Sequence, residues 1–119
     1  MEELYFKKLI VWQKSMDYGE KCLDITSEIK GHYRLLEQLE AASASVPQNI
    51  AEGNGRFSTK EYIHYLYISR GSLYESITLL NLFARKEIIT TDLLNQQEEL
   101  ALEIVKMLNA LITKLRKCI

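Results

Sequence analysis

Apolar residues recur at steps of three and four through most of this chain, and only three short stretches interrupt the pattern. Positions three and four apart share one face of an α-helix, so the spacing predicts four long amphipathic helices. One proline and five glycines in 119 residues leave little of the chain free to be loop. Leu, Glu, Ile and Lys are the commonest residues, and Leu, Glu and Lys favour helix. Only a few residues connect the predicted helices. Short links between long helices make neighbours antiparallel, so the expected fold is all-α: an antiparallel up-down-up-down four-helix bundle in one domain over 1–119.

The first helix is expected from about Lys8 to Ile29. Leu9, Trp12, Met16, Gly19, Leu23 and Thr26 read as its seam, with Val11, Tyr18, Cys22, Ile25 and Ile29 as a second stripe beside it. Gly31 suits the left-handed conformation that closes helices. The second helix is expected from about Arg34 to Glu52, with Leu35, Leu39, Ala42, Val46 and Ile50 buried and Gly53 closing it. Pro47 inside it removes a hydrogen bond and crowds the carbonyl of Ser43, so a bend is expected there. Ser58-Thr59-Lys60-Glu61 reads as a capping box opening the third helix, which runs to about Lys86. Tyr62, Leu66, Ser69, Leu73, Ile77, Leu80 and Ala84 read as its core face, and the small Ser69, Gly71 and Ser76 as places of close approach. Thr90 or Thr91 starts the fourth, which runs to about Lys117 with Leu93, Leu100, Ile104, Leu108, Leu111, Ile112 and Leu115 as its stripe.

Bulk properties exclude some functions. The net charge is -1, whereas non-specific nucleic-acid binders usually carry a basic excess. Any such role needs a local patch: Arg56 and Lys60 near the Gly-rich turn, and Lys106, Lys114, Arg116 and Lys117 on the fourth helix, are the candidates. A ring of subunits would repeat a weak patch. No apolar run approaches the roughly 20 residues of a membrane span. The opening Met1-Glu2-Glu3 is acidic and no apolar segment follows, so no secretory leader is expected. Cys22 and Cys118 have neither disulfide nor zinc spacing, and read as reduced cytoplasmic thiols.

The third helix carries more apolar residues than one core face can use. Ile63, Tyr67 and Tyr74 form a separate stripe, read as an oligomer interface. Chemistry is harder to find. Glu61-Tyr62-Ile63-His64 has the spacing of one half of a di-iron site, but such a site needs a second pair and two further Glu. No metal, cofactor or catalytic residue is expected. His64 sits on the charged side of its helix, away from any nucleophile. Asn54-Gly55 lacks the spacing and the Lys end of a phosphate loop. Asn49, Glu52, Arg70 and Glu75 read as a polar clasp within the bundle or between subunits, because charged groups near a core need partners.

Trp12-Gln13, Leu36-x-Gln38-Leu39, Ser45-Val46-Pro47-x-Asn49-Ile50-Ala51-Glu52-Gly53, Arg56-x-Ser58-x-Lys60-Glu61 and Gly71-Ser72-Leu73-x-Glu75 span nearly the whole chain. Together they resemble the bacterial four-helix-bundle family first noted in intervening sequences of large-subunit ribosomal RNA genes. The chain is also similar to the accessory protein of diversity-generating retroelements, which is pentameric and binds nucleic acid. The resemblance implies a ring-like homopentamer without enzymatic activity. Relatives commonly carry two arginines after the Gln-Leu pair of the second helix. Glu40 and Ala41 stand there instead, which weakens any hold on phosphates. The expectation is therefore a self-associating interaction or scaffold protein, with RNA or DNA binding as the alternative.

Overall fold

The computed structural model describes residues 2–119. Met1, the first residue of the acidic opening, lies outside them. A short 3-10 turn over Tyr5–Lys8 leads into α1 (Ile10–Ser27), α2 (Tyr33–Asn54), α3 (Thr59–Arg85) and α4 (Thr91–Arg116). Among the described residues there are four α-helices and no strand. Pairs between neighbouring helices match opposite senses: Thr26 with Glu40, Val46 with Ser69, Arg70 with Asn109 and Asn81 with Glu98, and Gln97 with Tyr18 and Cys22. Each helix is thus antiparallel to its neighbours. Contacts join α1 to α2, α2 to α3, α3 to α4 and α4 back to α1. The bundle is therefore a square, with α1 and α3 on one diagonal. The molecule measures 45 × 31 × 23 Å.

The core corrects the predicted face of α1. Val11, Ser15, Tyr18, Cys22 and Ile25 are buried, in steps of four and three, so the stripe read as secondary is the core seam. Met16 and Leu23, read as seam, are 45% and 51% exposed. Polar Ser15 concealed the pattern. Its hydroxyl donates to the carbonyl of Val11 at 2.7 Å, so it enters the core without an unmet hydrogen bond. The predicted face of α3 is largely kept, with Leu66, Ser69, Leu73 and Leu80 buried, and Ile63, Ser76, Leu79 and Phe83 widen it inside. At the centre Tyr18 and Ser76 share a hydrogen bond of 2.7 Å across the diagonal. Gln97 donates to the Tyr18 carbonyl at 3.1 Å and the Cys22 sulfur at 3.3 Å. These bonds let one tyrosine and one glutamine sit in an apolar interior.

Helix α2 runs unbroken through Pro47, which is itself buried. Pro47 has no amide to offer the carbonyl of Ser43. Gly19 packs there: a Cβ on it would lie 3.5 Å from that oxygen. Ser45 bonds Ser72 at 2.8 Å, and Ser69 donates to the Val46 carbonyl at 2.8 Å, so small polar residues line the α2/α3 seam. Gly53 does not close α2, which continues to Asn54. It is instead the point of close approach to α3. A Cβ there would come within 2.8 Å of Tyr65 Cβ and 2.9 Å of Tyr62 Cδ1. Gly71, expected to fill that role, faces open space. Ser58 caps α3 by accepting from the Glu61 amide at 3.1 Å, and Thr90 caps α4 likewise from Leu93. No return bond from the Glu61 side chain is made, so only half of the predicted box forms.

Candidate functional site

The four clasp residues do not meet within the chain. Asn49 donates to the carbonyl and hydroxyl of Ser45, both at 2.8 Å, inside its own helix. Glu52 accepts from Arg56 at 2.6 Å, one turn further on. Arg70 turns to α4, where it donates to Asn109 Oδ1 at 2.8 Å and lies 4.9 Å from the centre of the Tyr67 ring. Glu75 is exposed. The reason is axial: Glu52 sits near the end of α2, while Arg70 is eleven residues into α3, about 16 Å along its axis.

The predicted interface stripe splits. Ile63 is 7% exposed and belongs to the bundle core, so it offers no surface. Tyr67 is half-buried, and its hydroxyl accepts from Arg116 on α4. The Arg116 guanidinium lies 5.4 Å from the same ring, so two cations share one tyrosine. Neither has a carboxylate partner among the described residues. Tyr74 is 52% exposed. It borders a shallow groove of about 230 Å³ with Ile77, Leu102 and Val105 between α3 and α4. The opposite side of the square carries a second apolar groove, about 320 Å³, between α1 and α2. Met16, Gly19, Leu23, Ala44 and Pro47 line it, with Glu20 and Gln48 as its polar members. Sequence reading missed this second face because it placed Met16 and Leu23 inside. The available signal was Ser15 with Tyr18 and Cys22, whose step pattern competes with theirs.

The candidate nucleic-acid contacts do gather. The N-terminal half of α3 and the C-terminal half of α4 lie at the same end of the bundle, which holds Arg56, Lys60, Lys106, Lys114, Arg116 and Lys117. Helix α4 is fully segregated: its four acids, Asp92, Glu98, Glu99 and Glu103, all precede its three cations, Lys106, Lys114 and Arg116, and Lys117 follows as the cap. Dividing each helix at its midpoint leaves ten Lys and Arg against five Asp and Glu at this end. The other end holds five against eleven. The small net charge hides this separation. Of the six candidates only Arg56 is in an ion pair, with Glu52, and it also donates to Tyr65 at 2.7 Å. Glu40, at one of the positions where relatives carry arginine, accepts from Thr26 at 2.7 Å and ties α1 to α2.

His64 is exposed beside the Tyr65 ring. Among the described residues no three His, Cys, Asp or Glu side chains are grouped to hold a metal, and no helix is long and apolar enough to cross a membrane. Burial pushes the Cys22 thiol up to about 11, partly offset by its hydrogen bond from Gln97, which leaves it a poor nucleophile.

No curated protein matches this sequence. Among solved structures it is similar to a protein of unknown function from the S23 ribosomal protein family of Bacteroides thetaiotaomicron VPI-5482. That similarity covers 87% of this chain and 98% of the other, with a TM-score of 0.80 and 23% identity, and so speaks for the fold. The sequence model of the 23S rRNA-intervening sequence proteins matches residues 7–110, nearly the whole bundle. The chain belongs to the 23S rRNA-intervening sequence protein family.

Proposed function

We propose that this chain is a non-enzymatic interaction protein that works as a closed homo-oligomer, with five subunits as the size the family resemblance implies. The observation that carries this is the pair of apolar grooves on opposite sides of one bundle. An apolar face on one side invites a dimer. Two different ones suit a head-to-tail contact, which repeats until the rotation closes a ring. The same reading places the protein in the cytoplasm, where the free thiols Cys22 and Cys118 stay reduced. Sedimentation velocity at high micromolar concentration tests it. A single particle several times the 13.8 kDa chain mass is expected. A particle of one chain overturns the reading.

The charge separation favours a second activity on the same body: contact with RNA or DNA phosphates at the basic end. A ring whose subunits point the same way would gather these ends on one rim, so each weak patch gains from its neighbours. Fluorescence anisotropy with a labelled RNA and a labelled duplex at low salt tests this. The triple variant Lys106→Gln, Lys114→Gln, Lys117→Gln should bind more weakly and with a shallower dependence on salt. Equal binding by both proteins, or none by the wild type, removes it.

A further inference from the structure

The two grooves differ in shape, and the difference matches: one side presents a protruding ring and the other a hollow, while each lining has one acid, Glu98 on the α3/α4 side and Glu20 on the α1/α2 side. On the α3/α4 side Tyr74 stands out from the surface, and its hydroxyl has no partner among the described residues. Arg70, one helical turn before it, has no carboxylate of its own chain within salt-bridge distance. On the α1/α2 side Gly19 lies in the apolar groove over the backbone of α2 at Ser43, 3.5 Å from where its Cβ would be. A glycine there leaves a hollow flanked by Met16 and Leu23, one turn to either side. Glu20 and Gln48 border the hollow, exposed and likewise without partners among the described residues.

Resting on the self-association reading, we propose that Tyr74 of one copy seats in the α1/α2 groove of the next, with Arg70 meeting Glu20. The tyrosine ring covers Met16, Leu23, Ala44 and Pro47. Its hydroxyl reaches the polar rim of Glu20 and Gln48. Residues four apart on a helix are neighbours on its surface, so a tyrosine and an arginine at 74 and 70 arrive together. An amphipathic ring with a polar tip fits an apolar hollow with a polar edge, and a buried aromatic anchor of this kind usually carries much of the binding energy. A second copy is favoured over another occupant because both halves of the match are on this one chain: an exposed tyrosine beside Arg70, which donates to Asn109 but has no carboxylate partner, and an apolar hollow edged by Glu20, which has no partner among the described residues. The contact is heterologous: it uses a different face of each copy.

That asymmetry supplies the test. Tyr74→Ala removes the anchor and keeps the groove. Ala44→Arg blocks the groove and keeps the anchor. Both positions are exposed, and circular dichroism should show intact helices for both variants. In sedimentation velocity each alone should dissociate, with a subunit dissociation constant raised about thirtyfold or more for Tyr74→Ala. An equal mixture of the two should form a dimer, because one good anchor then meets one good groove. In the charge-exchange arm, Glu20→Arg should weaken assembly, and adding Arg70→Glu should restore it. Wild-type assembly that Ala44→Arg leaves intact, or a mixture that stays as single chains, overturns the proposed contact but not self-association. A wild-type protein found only as single chains overturns both. Loss of assembly with Glu20→Arg that Arg70→Glu does not restore removes the ion pair from the proposal.

Discussion

Gly53 and Cys22 show how much a single atom decides here. Gly53 sits inside a helix, where alanine would ordinarily be better by about 1 kcal/mol. At this site the added Cβ meets Tyr65 Cβ and the Tyr62 ring below 3.0 Å, and neither is the free end of a flexible chain. Overpacking of this kind costs about 1 to 3 kcal/mol. Gly53→Ala should therefore lower stability in urea unfolding by about 1 kcal/mol net, against its helix propensity. Cys22 makes a second case. Its thiol is buried and raised from 9.0 to about 11, while Cys118 is exposed. A thiol reagent should label one cysteine per native chain and two after unfolding. The raised value also fixes a sign. Between pH 9 and 11 the unfolded chain has lost this proton and the folded one keeps it, so unfolding is favoured as pH rises. Burial raises Tyr18 as well, so it adds to the trend above its ordinary value of 10.0. Stability should fall on the alkaline side from about pH 9, and Cys22→Ala should flatten the first part of that fall.

At the scale of elements, helix ends were legible and helix faces were less so. Ser58 and Thr90 cap where the sequence suggested, because a side-chain oxygen before an apolar period answers a local need of free amides. Gly31 takes a left-handed φ of 86° but does not close α1, which ends at Ser27 with Glu28 as its cap. The end of α3 falls at Arg85, with Lys86 as its cap, close to the expected Lys86, although no glycine marks it. There Glu87 takes a φ of 60°, with Glu87 N to Ala84 O at 3.0 Å and Ile88 N to Phe83 O at 2.9 Å. This is the paired closing bond pattern that glycine normally serves. A left-handed residue with a Cβ costs about 1 kcal/mol or more. Glu87→Gly should raise the unfolding free energy by about that amount and leave assembly unchanged. The face of α1 was misplaced by one step for a physical reason. Hydrophobicity alone ranks Met16 and Leu23 above Ser15, Tyr18 and Cys22. The bundle reverses the order because Ser15, Tyr18 and Cys22 find hydrogen bonds inside.

For the whole molecule, function rests on arrangement more than on any residue. A chain of net charge -1 becomes a body with a basic end and an acidic end, because antiparallel helices bring the start of α3 beside the finish of α4. Moving charge between ends should therefore matter more than changing the total. The variant Glu99→Lys with Lys114→Glu keeps the net charge, and both positions are exposed. It should nevertheless weaken RNA or duplex binding in anisotropy titrations, and with a smaller salt slope than the wild type. Likewise the two grooves are opposite only because α1 with α2 and α3 with α4 form opposite sides of a square.

Periodicity, caps and link lengths determined four helices and their antiparallel order, since each depends on neighbours within a turn or a short loop. The chain alone also carried its family resemblance. Which stripe of α1 turned inward, that Gly53 rather than Gly71 is the close contact, that Ile63 is core and that the clasp residues lie apart were decided only in the packed bundle. Those outcomes depend on where a side chain lands relative to another helix, and that rotation is set by the fit of all four helices at once.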